Sequence, residues 1–236
     1  MIATEKYDAK RTYKHVDGYQ PGIASIGQQI VYVEGRNGNS PAKYEQAATL
    51  QRAFDLLEGE RISVKRFRAD SASYQKEVVD LVSKQSERFY IRAVRCASMD
   101  QQISYITADQ WQKVRLGVQE MDVAQLADYC PFDGAKTYRL VVSRIKRKDK
   151  QTDLLSGQAY TYRSILTNDE QWGSEHIVAF YNERGKAERT FDRMNNDFGW
   201  AKLPCSFLGE NTAFMILTAL YANRGYSDYL LKKQKG

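Results

Sequence analysis

In the stretch YNERGKAE, Tyr181, Arg184 and Glu188 follow one another at i, i+3 and i+7. On an α-helix that spacing puts a phenol, a guanidinium and a carboxylate on one face, with Asn195 two turns further along. The first two can hold a phosphate, and the carboxylate can hold a hard divalent cation. An ordinary exposed helix would look the same, with an Arg184–Glu188 pair worth roughly a few tenths of a kcal/mol in its less favourable order. A second carboxylate shifts the weighing. Asp70, in FRADSASY, stands where a strand-like run ends and a loop begins, a place where open α/β sheets gather their chemistry. The plainer role for Asp70 is an N-cap or Asx-turn leading into the next helix. A strand-end aspartate together with a glutamate from a later helix is the arrangement that serves metal-assisted phosphoryl transfer, with two ions ~3.5–4 Å apart.

The elements that must position these groups follow from the hydrophobic pattern. GIASIGQQIVYVEGRNGN predicts a hairpin turning at Gly27 and ending in the turn formers from Gly35 to Asn39. KYEQAATLQRAFDLLE sets Ala47, Leu50, Phe54 and Leu57 on one helical stripe. ISVKRFRAD alternates as a strand from Ile62 to Asp70, YQKEVVDLVSKQ reads as a helix and RFYIRAVRC as a strand. From 97 to 172 the chain turns mostly β, in QKVRLGV, KTYRLVVSRI and YTYRSILT, with the charged turn KRKDK between the last two. Two helices follow, one from Ser174 to Asp197. The other runs from Asn211 to Leu231 and is expected to bury Phe214, Met215, Leu217, Leu220 and Tyr221.

The chain of 236 residues is 42% hydrophobic, enough for a core, and carries 35 Lys and Arg against 29 acids, a net charge of +6. That balance favours a polyanionic partner. Cys96, Cys130 and Cys205 have no metal-ligand spacing and imply no disulfide framework. Neither an apolar leader nor a run of about 20 apolar residues is present, so a cytoplasmic protein without a membrane span is expected.

The motifs GYQPGIASIG, VEGRNGN, RADSASY, FYIRA, YTYRSILTND, YNERGKAERTFD and NNDFGWAKLPCSFLGENTAF occur in an order that resembles DDE transposases. The resemblance is to the IS4-like group, closest to the IS1380-like family, and covers nearly the whole chain. It implies an RNase H-like mixed sheet with flanking helices. Residues 1–96 would form the first part of the catalytic domain, 97–172 a β-rich insertion, and 173–236 its C-terminal helical part. It further implies metal-dependent cleavage and rejoining of DNA at transposon ends and target, with bacterial cytoplasmic or nucleoid-bound location and two copies paired in a synaptic complex. Asp70 matches the second acid and Glu188 the third, as ligands of Mg2+ or Mn2+. Tyr181 and Arg184 match residues that approach DNA phosphates. Asn195 stands where that signature has a lysine, with Lys186, Arg189 and Arg193 near enough in sequence to supply the charge.

The first acid of the family has no match, because Met1 stands almost at its point. Asp8 and Asp17 are the early aspartates, and neither has the apolar strand context of that acid. The expectation is therefore a truncated copy, with the first central strand largely missing, inactive alone and poorly soluble. Two rival readings remain: a remnant that binds DNA or a partner without catalysis, and an RNase H-like nuclease. Trp111 and Trp172 bracket the β-rich block as candidates for stacking on an unpaired base, against a plain core role. Trp200, His15 and His176 read as structural. The patches Lys65–Arg68, Arg144–Lys150 and Lys232–Lys235 are solvated faces or phosphate contacts.

Overall fold

The computed structural model describes residues 1–41, 43–134, 136–146 and 160–234, without the side chains of 186–188 and 226–234. The Arg147–Lys150 part of the predicted charged turn and the side chains of the Lys232–Lys235 patch lie outside that description. The chain packs as two units, Met1–Ile62 with Gly185–Gly236, and Ser63–Arg184.

The first unit begins with three short strands, β1 (Ile2–Ala3), β2 (Lys10–Arg11) and β3 (Asp17–Tyr19), in the order β1-β3-β2. The predicted hairpin follows as β4 (Gly22–Ile26) and β5 (Gln29–Glu34), with Gly27 turning at φ 61°, where a Cβ would be strained. Helix α1 (Gln46–Gly59) packs on this hairpin through Thr49, Ala53, Phe54 and Leu57. Ala47 and Leu50 of the predicted stripe are half-buried. Helices α5 (Gly185–Asp197) and α6 (Leu208–Gln234) complete the unit. Its core joins Ile2, Tyr19, Ile30, Met194, Trp200 and Met215. Trp200 is fully buried and its indole donates to the Thr218 hydroxyl, the structural role expected of it.

Helix α6 corrects the predicted pattern. Its buried line is Asn211, Met215, Ala219 and Ala222, whereas Leu217, Leu220 and Tyr221 are 66%, 60% and 72% exposed. Small residues let the helix lie close to β5, and its apolar residues run all round, which hides the buried face from a periodicity reading.

The second unit is built on one mixed six-stranded sheet, order β6-β7-β11-β10-β9-β8. Strands β6 (Val64–Ala69) and β7 (Ser86–Arg92) are parallel and joined through α2 (Lys76–Gln85), as a parallel pair requires. The rest is antiparallel: β8 (Gln112–Leu116), β9 (Gln119–Tyr129), β10 (Tyr138–Lys146) and β11 (Tyr160–Thr167). Four strands from the 97–172 block thus extend the sheet of β6 and β7. Helix α3 (Ala97–Ser104) buries Met99 and Ile103, and α4 (Ser174–Asn182) buries Ile177, Val178 and Tyr181. Tyr90, Val123, Val141 and Ile165 form the apolar cluster that receives α4.

The helix predicted over Ser174–Asp197 is broken. It stops after Asn182, the Arg184 N–H turns back to the Tyr181 carbonyl at 2.9 Å, and α5 starts at Gly185. Glycine costs about 1 kcal/mol in a helix interior relative to alanine, so NERGK is where the helix gives way. Tyr181, Arg184 and Glu188 therefore do not line a single helical face.

Candidate phosphate site at the ends of the parallel strands

Asp70 follows the last residue of β6. Its carboxylate accepts the Ala72 N–H at 2.9 Å and caps a single 3-10 turn, Ser71–Ser73, so the plain capping role is real. The side chain is nonetheless exposed, which leaves its remaining lone pairs to solvent or a ligand. Tyr181 lies beside it. Its hydroxyl donates to the Ala69 carbonyl at 3.1 Å, fastening α4 to the end of β6. Burial pushes the phenol up, helped by the Asp70 charge and opposed by Arg184, Arg92 and Arg68. Asp70 is thus within electrostatic reach of the same phenol as three guanidinium groups.

Direct cross-strand partners share a face of a sheet. Arg68 pairs with Tyr90 across β6 and β7, and Arg92 pairs with Ile165 across β7 and β11, so these arginines stand on the α4 side. Arg68 donates to the Phe180 carbonyl and lies 4.6 Å over the Phe180 ring. Burial holds its guanidinium below the ordinary arginine range, with Glu183 and Tyr181 working the other way and Arg184 adding to the depression. Arg92 is held down by burial and then by the like charge of Arg163, with Tyr181 working the other way and Arg184 adding to the depression. Among the described residues neither Arg92 nor Arg163 forms a salt bridge. An arginine does not escape such a field by losing its proton. Such a cluster suits an anion.

A cavity of about 250 Å³ opens next to these strand ends, lined by Ser71, Arg92, Arg95, Ile103, Tyr162 and Ser164 among others. The loop between β11 and α4 is held by Asp169, which is 1% exposed. Its carboxylate accepts from the Tyr90 hydroxyl at 2.5 Å and from the Gln171 and Trp172 N–H groups at 2.9 and 3.2 Å, with Arg88 at 3.8 Å. Arg139 donates to the Asp169 and Trp172 carbonyls.

The other sequence candidates fall as follows. Trp172 is packed against Tyr90 and Phe180, with the Arg66 guanidinium 4.2 Å over its ring. Trp111 is half-buried, with Arg144 at 4.0 Å over its ring. Arg189 is exposed on α5, Arg193 lies 5.7 Å over Phe198, and Asn195 is half-buried. Lys186 and Glu188 have no described side chains. Asp8, weighed as a substitute acid, is committed elsewhere: it accepts from the Tyr19 hydroxyl and from the Leu208 N–H at 2.8 Å. Burial raises its carboxyl, but those two donors outweigh it and leave the group below the ordinary aspartate range. Sequence reasoning assigned no role to Arg92, Arg163 or Asp169. The available signal was position, since Arg92 ends β7 as Asp70 follows β6.

No group of three or more His, Cys, Asp and Glu side chains that could hold a metal occurs among the described residues. One capped carboxylate amid arginines fits an anion and does not by itself make a divalent-metal site. No helix of the described residues is long and apolar enough to cross a membrane. No curated protein matches the chain at a significant level. A family model does match, described as transposase DDE domain group 1, over residues 4–223. With the carboxyl ends of a parallel strand pair carrying an aspartate and a cluster of guanidinium groups, this chain belongs to the DDE transposase family.

Proposed function

We propose that the Ser63–Arg184 unit of this transposase chain grips the phosphate backbone of DNA with Arg92, Arg163 and Arg184, beside the exposed Asp70. The observation that carries this reading is the half-buried Arg92, set among like charges without a carboxylate partner among the described residues. Phosphate is the anion whose oxygens such a cluster best serves. Arg68 and Tyr181 act as positioning residues, with one guanidinium nitrogen of Arg68 donating to the Phe180 carbonyl and the Tyr181 hydroxyl donating to the Ala69 carbonyl.

DDE transposases use divalent metal ions in their phosphoryl transfers. Asp70 and Glu188 are assigned as carboxylates for that role, with Mg2+ or Mn2+ as the ion, on the family resemblance alone. The same resemblance supports an RNase H-like fold, the 97–172 block as its insertion, phosphate contacts by Lys186, Arg189, Arg193 and Asn195 on α5, and pairing of two copies on DNA ends. Trp111 and Trp172, both half-buried with an arginine over the ring, are assigned equally to stacking on an unpaired base. The second reading, supported by the arginine cluster, is a chain that holds DNA without cutting it.

Fluorescence anisotropy with a labelled duplex tests the grip. Binding is expected to persist in EDTA and weaken with salt, and Arg92→Ala or Arg163→Ala should each lower affinity about tenfold, the worth of one charge-assisted bond. Wild-type affinity in both variants would overturn the reading. Nicking of supercoiled DNA with Mg2+ or Mn2+, abolished in Asp70→Asn and Glu188→Gln, would decide for catalysis over holding.

A further inference from the structure

A second charged feature lies in the other unit. The segment from Lys10 to Tyr19 is a hairpin at one edge of the three-stranded sheet, β2 paired with β3 through Lys10–Gly18 and Arg11–Asp17, while β3 also pairs with β1. Its tip is closed by Thr12. The Thr12 N–H and hydroxyl both donate to the Val16 carbonyl, at 2.8 and 2.7 Å, and the hydroxyl accepts the Lys14 N–H at 3.3 Å. The His15 N–H returns to the Thr12 carbonyl, with His15 at φ 60°. The base is equally tied: the Lys10 N–H donates to the Asn37 side chain at 2.7 Å, and Gly38 lies so close that a Cβ there would meet the Lys10 and Gly18 carbonyl oxygens at 2.0 and 2.4 Å. Thr12 is buried, while Lys10, Arg11, Tyr13, Lys14 and His15 all face solvent, with Tyr13 69% exposed and the Lys14 ammonium 5.9 Å above its ring. Asp17 is the ribbon's acid, and no salt bridge ties Lys10, Arg11 or Lys14 among the described residues.

We propose that this ribbon is a DNA-contacting finger, its tip entering a groove of duplex DNA while Lys10, Arg11 and Lys14 neutralise phosphates and Tyr13 packs on the sugar–phosphate wall. The tip, residues 12–16, lies beyond the last β1–β3 and β2–β3 pairs, so it is the part that stands clear of strand pairing to meet a groove. The internal bonds of the tip hold it in shape before contact, so little ordering entropy opposes binding. Three cations and one acid give the finger a net positive charge, while its single aromatic tip suits a groove wall. The finger is independent of the arginine cluster in its residues but rests on the same reading, that DNA is the partner.

The test compares wild type with Lys10→Ala/Arg11→Ala/Lys14→Ala and with Tyr13→Ala, by anisotropy on one duplex from 50 to 200 mM salt. Each lost phosphate contact flattens the plot of log affinity against log salt by about 0.9. The triple variant is expected to flatten it by about 2 or more and to weaken binding more than tenfold at 50 mM salt, with unchanged thermal unfolding. Acetylation of Lys10 and Lys14, read by mass spectrometry, should be suppressed by duplex in the wild-type protein. An unchanged salt slope with unprotected lysines would overturn the finger while leaving the arginine cluster standing. Equal protection by poly-glutamate at matched charge would overturn it too, by showing generic polyanion attraction. Failure of the wild type to bind duplex at all would remove both proposals together.

Discussion

Asp169, in the loop after β11, and Arg92, at the end of β7, are charged groups under opposite constraints. Asp169 is satisfied several times over, and although burial raises its carboxyl, the Tyr90 hydroxyl and the two loop N–H groups bring it below the ordinary aspartate range. Replacing it with asparagine keeps the shape but strips the charge from a bonded, buried site. Asp169→Asn should cost about 2–4 kcal/mol in urea unfolding. Both Asp169 and Asp8 have folded-state values lowered from the model-peptide range, so each contributes stability that is present above about pH 4. That stability is lost as pH falls through the lowered folded values. Wild-type protein should lose stability steeply below about pH 4, and the pH-dependence of urea midpoints should be shallower in Asp8→Asn. At this scale the sequence was only partly readable. Asp70 announced itself through its strand-end position and capping pattern, although the turn it caps is the 3-10 turn Ser71–Ser73 and the following helix starts later, at Lys76. Arg92 did not, because an arginine in a strand looks like any half-exposed polar position until its cross-strand neighbours are known.

Elements were read with more success where their signals are local. The β4–β5 hairpin, α1, β6, α2 and β7 were visible because alternation, helical periodicity and turn residues each act within a few positions. Strand β9 was not singled out, since its eleven residues mix polar and apolar side chains on a sheet with one covered face in places and an open one in others. The break between α4 and α5 was missed because Gly185 is one residue in a long helical pattern, and the α6 face was misassigned because apolar side chains surround that helix. Glycines separate local from long-range control most plainly. A Cβ on Gly185 would meet nothing within 4 Å, whereas one on Gly38 would run into backbone oxygens. Gly185→Ala is therefore expected to be neutral or to stabilise by about 0.5–1 kcal/mol. Gly38→Ala should destabilise by more than about 2 kcal/mol, since backbone rather than a flexible side chain must move. Thermal melts of the two variants check the contrast, and a similar loss in both would contradict it.

For the whole molecule, the RNase H-like reading drew on a run of seven motifs, and the family match over residues 4–223 supports its transposase part. The division into two units was not legible, because it depends on contacts between residues far apart in the chain. Asn223 on α6 makes the point: its side-chain amide donates to the Ile30 carbonyl at 2.7 Å and accepts the Ile30 N–H at 2.9 Å, across 193 positions. The unit holding β4 and β5 is thus assembled from the two ends of the polypeptide, while the six-stranded sheet comes from one uninterrupted stretch. On a ribosome adding about 5–20 residues per second, Ile30 waits roughly 10–40 s for Asn223 to be made. The central stretch can organise in that interval, and the hairpin's open side must be kept from strangers until Asn223 emerges. Pulse-labelled nascent chains stalled before Asn223 should show protected amides in β7 and β11 but not at Ile30. Birth order, on this view, is written into where one asparagine was placed.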